Sequence, residues 1–269
     1  MPYKIIKIPK RKGGFRILHI PDDDLKKQQK EILHHELAII KYPKLKNTII
    51  LGQHKCSPSY IFKFINAQFY DPNPDEIFLT ACDIKNFFTN VTPDYLLNIF
   101  YKWSNSKFIN IVEKCFVEYK GKLILPQGAP TSPRLSSFAL FKLFRMFDYI
   151  FKYKAVAIIN YIDNFYMFHS DKKMNKYLVA SILNYGFKIS KFKCRKIPYK
   201  SENKPFVKML GFTIYRDDYD GKIVAKIRQK HSHTIRGLQH HLEKNYDENL
   251  HKKLMGYRSW KNIIEIMNK

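Results

Sequence analysis

The sequence predicts an α+β fold. Strand-like runs recur between helical stretches, and the chain closes on helices. An apolar run, Ala157-Ile158-Ile159-Asn160-Tyr161, and an aromatic run, Phe165-Tyr166-Met167-Phe168, flank a polar break at Asp163-Asn164, the pattern of a β-hairpin. Gly13-Gly14 lacks the strand–GxxxxGK–helix setting of a phosphate loop, so a P-loop or dinucleotide-binding unit is not indicated.

Taken in order, residues 1–21 alternate apolar and basic around Gly13-Gly14 and predict a hairpin with a basic tip. Pro21-Asp22-Asp23-Asp24 opens a helix, because acids suit its positive end. Leu25, Gln28, Ile32, Leu33 and Leu37 give that helix one face. Residues 42–76 read as loop, a helix over 59–69 and a proline-rich turn. A strand follows over 76–83, then helices over 94–103 and 109–119 and a short strand or turn over 121–126. Ser132-Pro133 reads as a cap followed by proline in the first turn, opening one helix to about 151. After the central hairpin come a helix over 172–186 and strands over 187–197 and 207–215. Residues 217–227 complete a hairpin through Asp220-Gly221. The tail, 231–269, reads as basic helix broken at Gly256.

The 269 residues carry 48 lysines and arginines against 23 acids, a net charge of +25 spread along the chain. A genome rich in A·T would explain the lysines but not the shortage of acids. A folded, basic, aromatic-rich protein of this kind handles a polyanion. Four cysteines lie far apart with no CxxC pair, which argues against zinc. No signal peptide opens the chain and no apolar run spans a bilayer, so the expected setting is cytoplasmic, with reduced thiols and no membrane.

Two carboxylates stand out. Asp83 ends a strand and Asp163 sits at the hairpin tip. The plainer reading of the tip is an ordinary turn, in which Asn tolerates the left-handed backbone. The sharper one pairs the carboxylates to hold Mg²⁺, which takes hard oxygen ligands and substrate phosphates. A third block, Leu125-Pro126-Gln127-Gly128-Ala129-Pro130-Thr131-Ser132-Pro133, has a backbone shaped by three prolines and a glycine, and Gln127 can donate and accept hydrogen bonds.

The order of these blocks resembles the reverse transcriptase family, most closely its bacterial retron-type branch. Asp83-Ile84-Lys85-Asn86-Phe87-Phe88 resembles the first catalytic motif, and residues 125–133 the template- and nucleotide-positioning motif. Tyr161-Ile162-Asp163-Asn164 stands where the family has Tyr-x-Asp-Asp. Residues 10–20 resemble the fingers hairpin, 186–193 the motif after the catalytic hairpin, and Leu210-Gly211-Phe212 the primer grip. The resemblance covers about residues 4–215. It implies a right-hand polymerase fold: fingers over 1–75, a palm on an antiparallel sheet over 76–222 with finger helices inserted at about 94–120, and a short helical thumb over 223–269. It implies RNA-directed DNA polymerase activity by two-metal phosphoryl transfer with Mg²⁺ or Mn²⁺. Asp83, Asp163 and Asn164 would be catalytic, with Asp83, the Ile84 backbone and Asp163 at the metals. Lys12, Arg16, Phe88, Gln127 and Lys193 would bind the nucleotide, Phe88 as a steric gate against a 2′-hydroxyl. Implied partners are an RNA template such as a dedicated non-coding RNA, a DNA primer or product, dNTPs, and an accessory or effector protein, in a retron or phage-defence system.

Three positions depart from the pattern. Asn164 replaces an aspartate. Asn66-Ala67-Gln68-Phe69-Tyr70 ends in Tyr where retron enzymes carry His, and Met209-Leu210-Gly211 stands for Val-Thr-Gly. A weak or inactive RNA-binding scaffold on the same fold, and a template-free or protein-primed DNA polymerase, therefore stand beside the main reading. Histidines 231, 233, 240, 241 and 251 cluster in the tail, where phosphate and groove contacts are expected rather than a metal site.

Overall fold

In the computed structural model, the described residues are 2–10, 13–40, 44–51, 58–69, 74–100, 105–202, 207–227, 229–244 and 246–267. The centre is a five-stranded sheet in the order β3-β7-β8-β4-β9, built from β3 (Thr48–Ile50), β4 (Phe78–Ile84), β7 (Val156–Tyr161), β8 (Asn164–His169) and β9 (Ile189–Lys196). Strands β7, β8, β4 and β9 pair antiparallel, as expected, whereas β3 joins the edge in parallel. Three residues carry too little periodicity to announce a strand. Strand β3 is fixed instead by Asp148, whose Oδ1 accepts from the Lys46 and Asn47 N–H groups at 2.6 and 3.2 Å.

Both faces of the sheet are covered, which is why Val156–Ile159 form an unbroken apolar run rather than alternating with polar residues. On one face Val156, Ile158, Phe165, Met167 and Cys82 pack with Phe138 of α6 (Ser132–Ala139), Phe144 and Phe147 of α7 (Phe141–Ile150) and Leu178 and Ile182 of α8 (Met174–Asn184). On the other, Leu79, Ile159 and Phe168 meet Ile61, Phe62 and Ile65 of α2 (Pro58–Ala67) and a three-stranded sheet of β10 (Val207–Met209), β11 (Phe212–Arg216) and β12 (Ile223–Ile227).

Several local expectations are corrected. Residues 207–215 form a hairpin, not one strand: Leu210 (φ 46) and Gly211 (φ 92) make a two-residue turn with both residues in the left-handed region. The helix expected to 151 is two helices, α6 and α7, interrupted at Leu140. Ser132 does not cap α6; its hydroxyl donates to the Pro126 carbonyl at 2.7 Å. Helix α5 (Asn105–Cys115) stops before Val117–Tyr119, which pair as β5 with β6 (Lys122–Ile124). In the tail, Gly256 lies inside α10 (Glu248–Met267), and the break falls between it and α9 (Gln229–Lys244).

Other expectations stand. The N-terminal hairpin is β1 (Tyr3–Pro9) with β2 (Phe15–Pro21). Helix α1 (Asp23–Glu31) is capped by Asp22, whose carboxylate accepts the Leu25 N–H at 2.8 Å. It continues over Ile32–Leu37 as a wider π-turn. Asn66 clamps β12, donating to the Ile223 carbonyl and accepting its N–H. Among the described residues, no helix is long and apolar enough to cross a membrane.

Candidate active site

The register of β4 against β8 places Asp83 directly opposite Asn164, so the Asp163 tip stands beside the end of β4. The tip is anchored there by the Ile84 N–H, which donates to the Asp163 carbonyl at 2.9 Å. Pairing of β4 with β9 slips between Asp83 and Ile84, and such a bulge re-aims the side chains that follow it.

The turn differs from the one expected. Its two residues are Ile162 and Asp163, while Asn164 already belongs to β8. Ile162, not Asn, takes the left-handed backbone at φ 57, a strained choice for a β-branched residue. Asn160 holds it in place. This side chain is fully buried under the turn and donates from Nδ2 to the carbonyls of Ile162 (3.0 Å) and Asn164 (3.3 Å).

Burial pushes the Asp163 carboxyl above the usual carboxylate range, and the nearby Asp83 charge adds to the rise. Arg16 of β2 and the Asn164 amide pull the other way. The Asn164 Nδ2 donates to Asp163 Oδ1 at 2.7 Å. Asp83 is held by Ser190, whose hydroxyl donates to Oδ2 at 2.6 Å, and it pairs with Lys191 at 3.5 Å. Asn160, Ser190 and Lys191 escaped the sequence reading. A polar residue inside an otherwise apolar strand was the available signal for the first, and the register of β9 against Asp83 decides the other two.

The remaining candidates fall into two groups. Arg16 acts on Asp163 from β2, and the Gln127 carbonyl accepts the His19 N–H at 2.8 Å, stitching β2 to the proline-rich loop. Gly128 (φ 111) lies so close that an added Cβ would meet the His19 carbonyl oxygen at 3.4 Å. Phe88 lies in α3 (Phe87–Asn90), half-buried, its ring 5.8 Å from that of Phe87. Lys193 is exposed on β9 opposite Ala81, two residues from the Lys191 that faces Asp83. Leu210, Gly211 and Phe212 lie apart from the carboxylates, in the three-stranded sheet, with Phe212 packed edge-on against Phe62. Lys12 lies outside the described residues.

Two neighbouring carboxylates, one of them desolvated, are hard oxygen donors that suit a divalent cation such as Mg²⁺. No group of three or more His, Cys, Asp or Glu that could hold a metal ion gathers among the described residues.

A model of the family described as "Reverse transcriptase (RNA-dependent DNA polymerase)" matches residues 8–214. The chain belongs to this reverse transcriptase family, and its likeness runs to the retron-type branch. It is 26% identical over 169 residues to the Retron Ec83 reverse transcriptase of Escherichia coli, a match covering 60% of this chain and 51% of that enzyme. The chain thus spans about half the length of that relative. In structure it is similar to apo telomerase from Candida tropicalis truncated from the C-terminal domain (TM-score 0.58, 14% identity, 83% of this chain and 55% of that one). A telomerase from the same organism in complex with a TWJ fragment of telomeric RNA matches with TM-score 0.58 and 13% identity, over 96% of this chain and 52% of that one. These likenesses show a right-hand polymerase fold.

Proposed function

We propose that this chain is an RNA-directed DNA polymerase that adds deoxynucleotides to a primer. The observation that carries the reading is the meeting of Asp83 and Asp163 at the end of the β4–β8 ladder, with Arg16 of the basic hairpin close enough to act on Asp163. Asp83, Asp163 and the Ile84 carbonyl would hold Mg²⁺ or Mn²⁺, which when bound neutralises charge at the attacking 3′-oxygen and the leaving pyrophosphate. Arg16 and Lys12 bind the triphosphate, Arg16 through its two-pronged guanidinium. Gln127 orients the incoming sugar, Lys193 stabilises or protonates the leaving pyrophosphate, and the Leu210-Gly211-Phe212 turn supports the primer end. In this reading fingers, palm and thumb divide at about residues 75 and 222. The likeness to a retron enzyme supports a place in a retron or phage-defence system, with a dedicated RNA as template and an accessory protein as partner.

Primer extension with Mg²⁺ and with Mn²⁺ tests the reading. Template-dependent dNTP incorporation with either ion is expected; none with either, on any template, ends it. One observation favours a second reading, an RNA-binding scaffold without polymerase activity: the Asn164 amide occupies an Asp163 oxygen that a metal would use. That reading predicts salt-sensitive RNA binding with no incorporation.

Two further outcomes are expected. Phe88→Ala opens the space of a 2′-hydroxyl, so the ratio of ribo- to deoxynucleotide incorporation rises by about 100-fold in single-nucleotide kinetics. Asn160→Ala frees the carbonyls on both sides of Asp163. The incorporation rate falls while the dNTP KM changes little, because the tip loses its fixed geometry rather than its nucleotide contacts. An unchanged rate would show that the β4–β8 ladder alone sets the tip.

A further inference from the structure

The outer face of α7 carries a pattern that catalysis does not use. Lys142, Arg145, Tyr149 and Tyr153 recur at helical spacing along the helix and the turn that follows it. The opposite face buries Leu143, Phe144, Phe147 and Phe151 in the core, so the stripe points away from it. Tyr149 and Tyr153 are 83% and 85% exposed, although their rings are the apolar groups a fold normally covers. Lys152 Nζ lies 5.0 Å from the centre of the Tyr153 ring. Between residues 142 and 154 four cations face a single acid, Asp148, whose carboxylate is occupied by the backbone of residues 46 and 47.

We infer that this surface binds single-stranded RNA, with bases stacked on Tyr149 and Tyr153 and phosphates paired with the flanking lysines and Arg145. Exposed aromatic rings between cations are the combination that single strands recognise: every base has a π-face, and every linkage a charge. A surface for a protein partner would bury its aromatic centre with fewer cations around it. The helical part of the stripe, Lys142 to Tyr149, is about 10 Å long at 1.5 Å per residue. It is also remote from the carboxylates. Tyr153 precedes Val156, the first residue of β7, and the catalytic tip follows the last, a separation on the order of 20 Å at 3.3 Å per residue. The inference rests on the polymerase reading for the choice of RNA. In that reading the product strand leaves paired, and the strand that stays unpaired is the template.

The test is binding of the full chain to an RNA–DNA template–primer hairpin with and without a 15-nucleotide oligouridine 5′ tail, read by fluorescence anisotropy. The tail is expected to tighten binding by about 30-fold or more, since each stacked base contributes on the order of 1–3 kcal/mol. Tyr149→Ala/Tyr153→Ala should bind both probes with the affinity the wild type has for the untailed one. Lys142→Gln/Arg145→Gln should lower the salt dependence of the tail's contribution. A tail gain that survives in the double tyrosine variant overturns the inference. So does a wild type that gains nothing from the tail, which would leave the surface to a protein partner. Equal gain from a deoxyuridine tail overturns the assignment to RNA. Incorporation on the untailed hairpin, measured separately, reports on the polymerase reading alone and should be unchanged in both variants.

Discussion

Asp163→Asn is expected to abolish nucleotide incorporation and at the same time raise the melting temperature at neutral pH in EDTA. Loss of activity follows from the removal of one of the two carboxylates proposed to hold the metal. A bound metal contributes several kcal/mol to the transition state, and about 4 kcal/mol corresponds to a fall of ~10³-fold in rate. The gain in stability follows from the direction of the Asp163 shift. Burial, then the Asp83 charge, raises its folded pKa above the unfolded value. Its contribution to stability is therefore fully present below the unfolded pKa and is lost as pH rises through the folded one. At pH 7 the ionised carboxylate costs stability that a neutral amide does not. The melting-temperature difference between wild type and variant should shrink as the pH is lowered into the carboxylate range. Adding Mg²⁺ or Mn²⁺ should raise the wild-type melting temperature, because a ligand of the folded state stabilises it by mass action, and leave the variant nearly unmoved. Thermal melts across pH, with and without the cation, check all three. A variant less stable than wild type in EDTA at pH 7 would show that the Asp83–Asp163 repulsion is already neutralised by Lys191 and Arg16.

The second large effect is expected from Asn164→Asp. In the wild type the Asn164 amide donates to Asp163 Oδ1, and this lowers the cost of the Asp163 charge. A carboxylate at 164 removes that donor and sets a third negative charge opposite Asp83. Without metal the variant should melt at a lower temperature. With Mg²⁺ or Mn²⁺ it should bind the cation more tightly and incorporate nucleotide about tenfold faster, the scale on which residues beside metal ligands change affinity or activity. The gain should be larger with Mg²⁺, which depends more on ideal hard-oxygen geometry. Parallel titrations of both cations against incorporation rate measure it. If neither affinity nor rate rises, position 164 is not what limits the site.

The chemistry-bearing blocks were legible because they are local. An Asp at a strand end, a proline-rich loop around Gln127 and a polar break between apolar and aromatic runs are all contiguous in the chain. The net charge of +25 likewise needs no structure to point toward a polyanion. Elements whose stability comes from elsewhere were not legible. Strand β3 has three residues and depends on Asp148, about a hundred positions away. The 207–215 hairpin hid in a run that reads as one strand, because its turn uses Leu210, a residue with no turn preference, before Gly211.

At the Asp163 tip the same division holds. Sequence by itself determined that Asp83 and Asp163 are the candidate carboxylates, and that Asn164 stands where a third is expected. Only the tertiary structure decided that Ile162 bears the strained backbone, that Asn160 pins it from below, and that Ser190 and Lys191 flank Asp83. The physical reason is that register sets which residues face each other across a sheet. Register is settled by the burial of both faces together, on α6, α7 and α8 on one side and on α2 with the three-stranded sheet on the other.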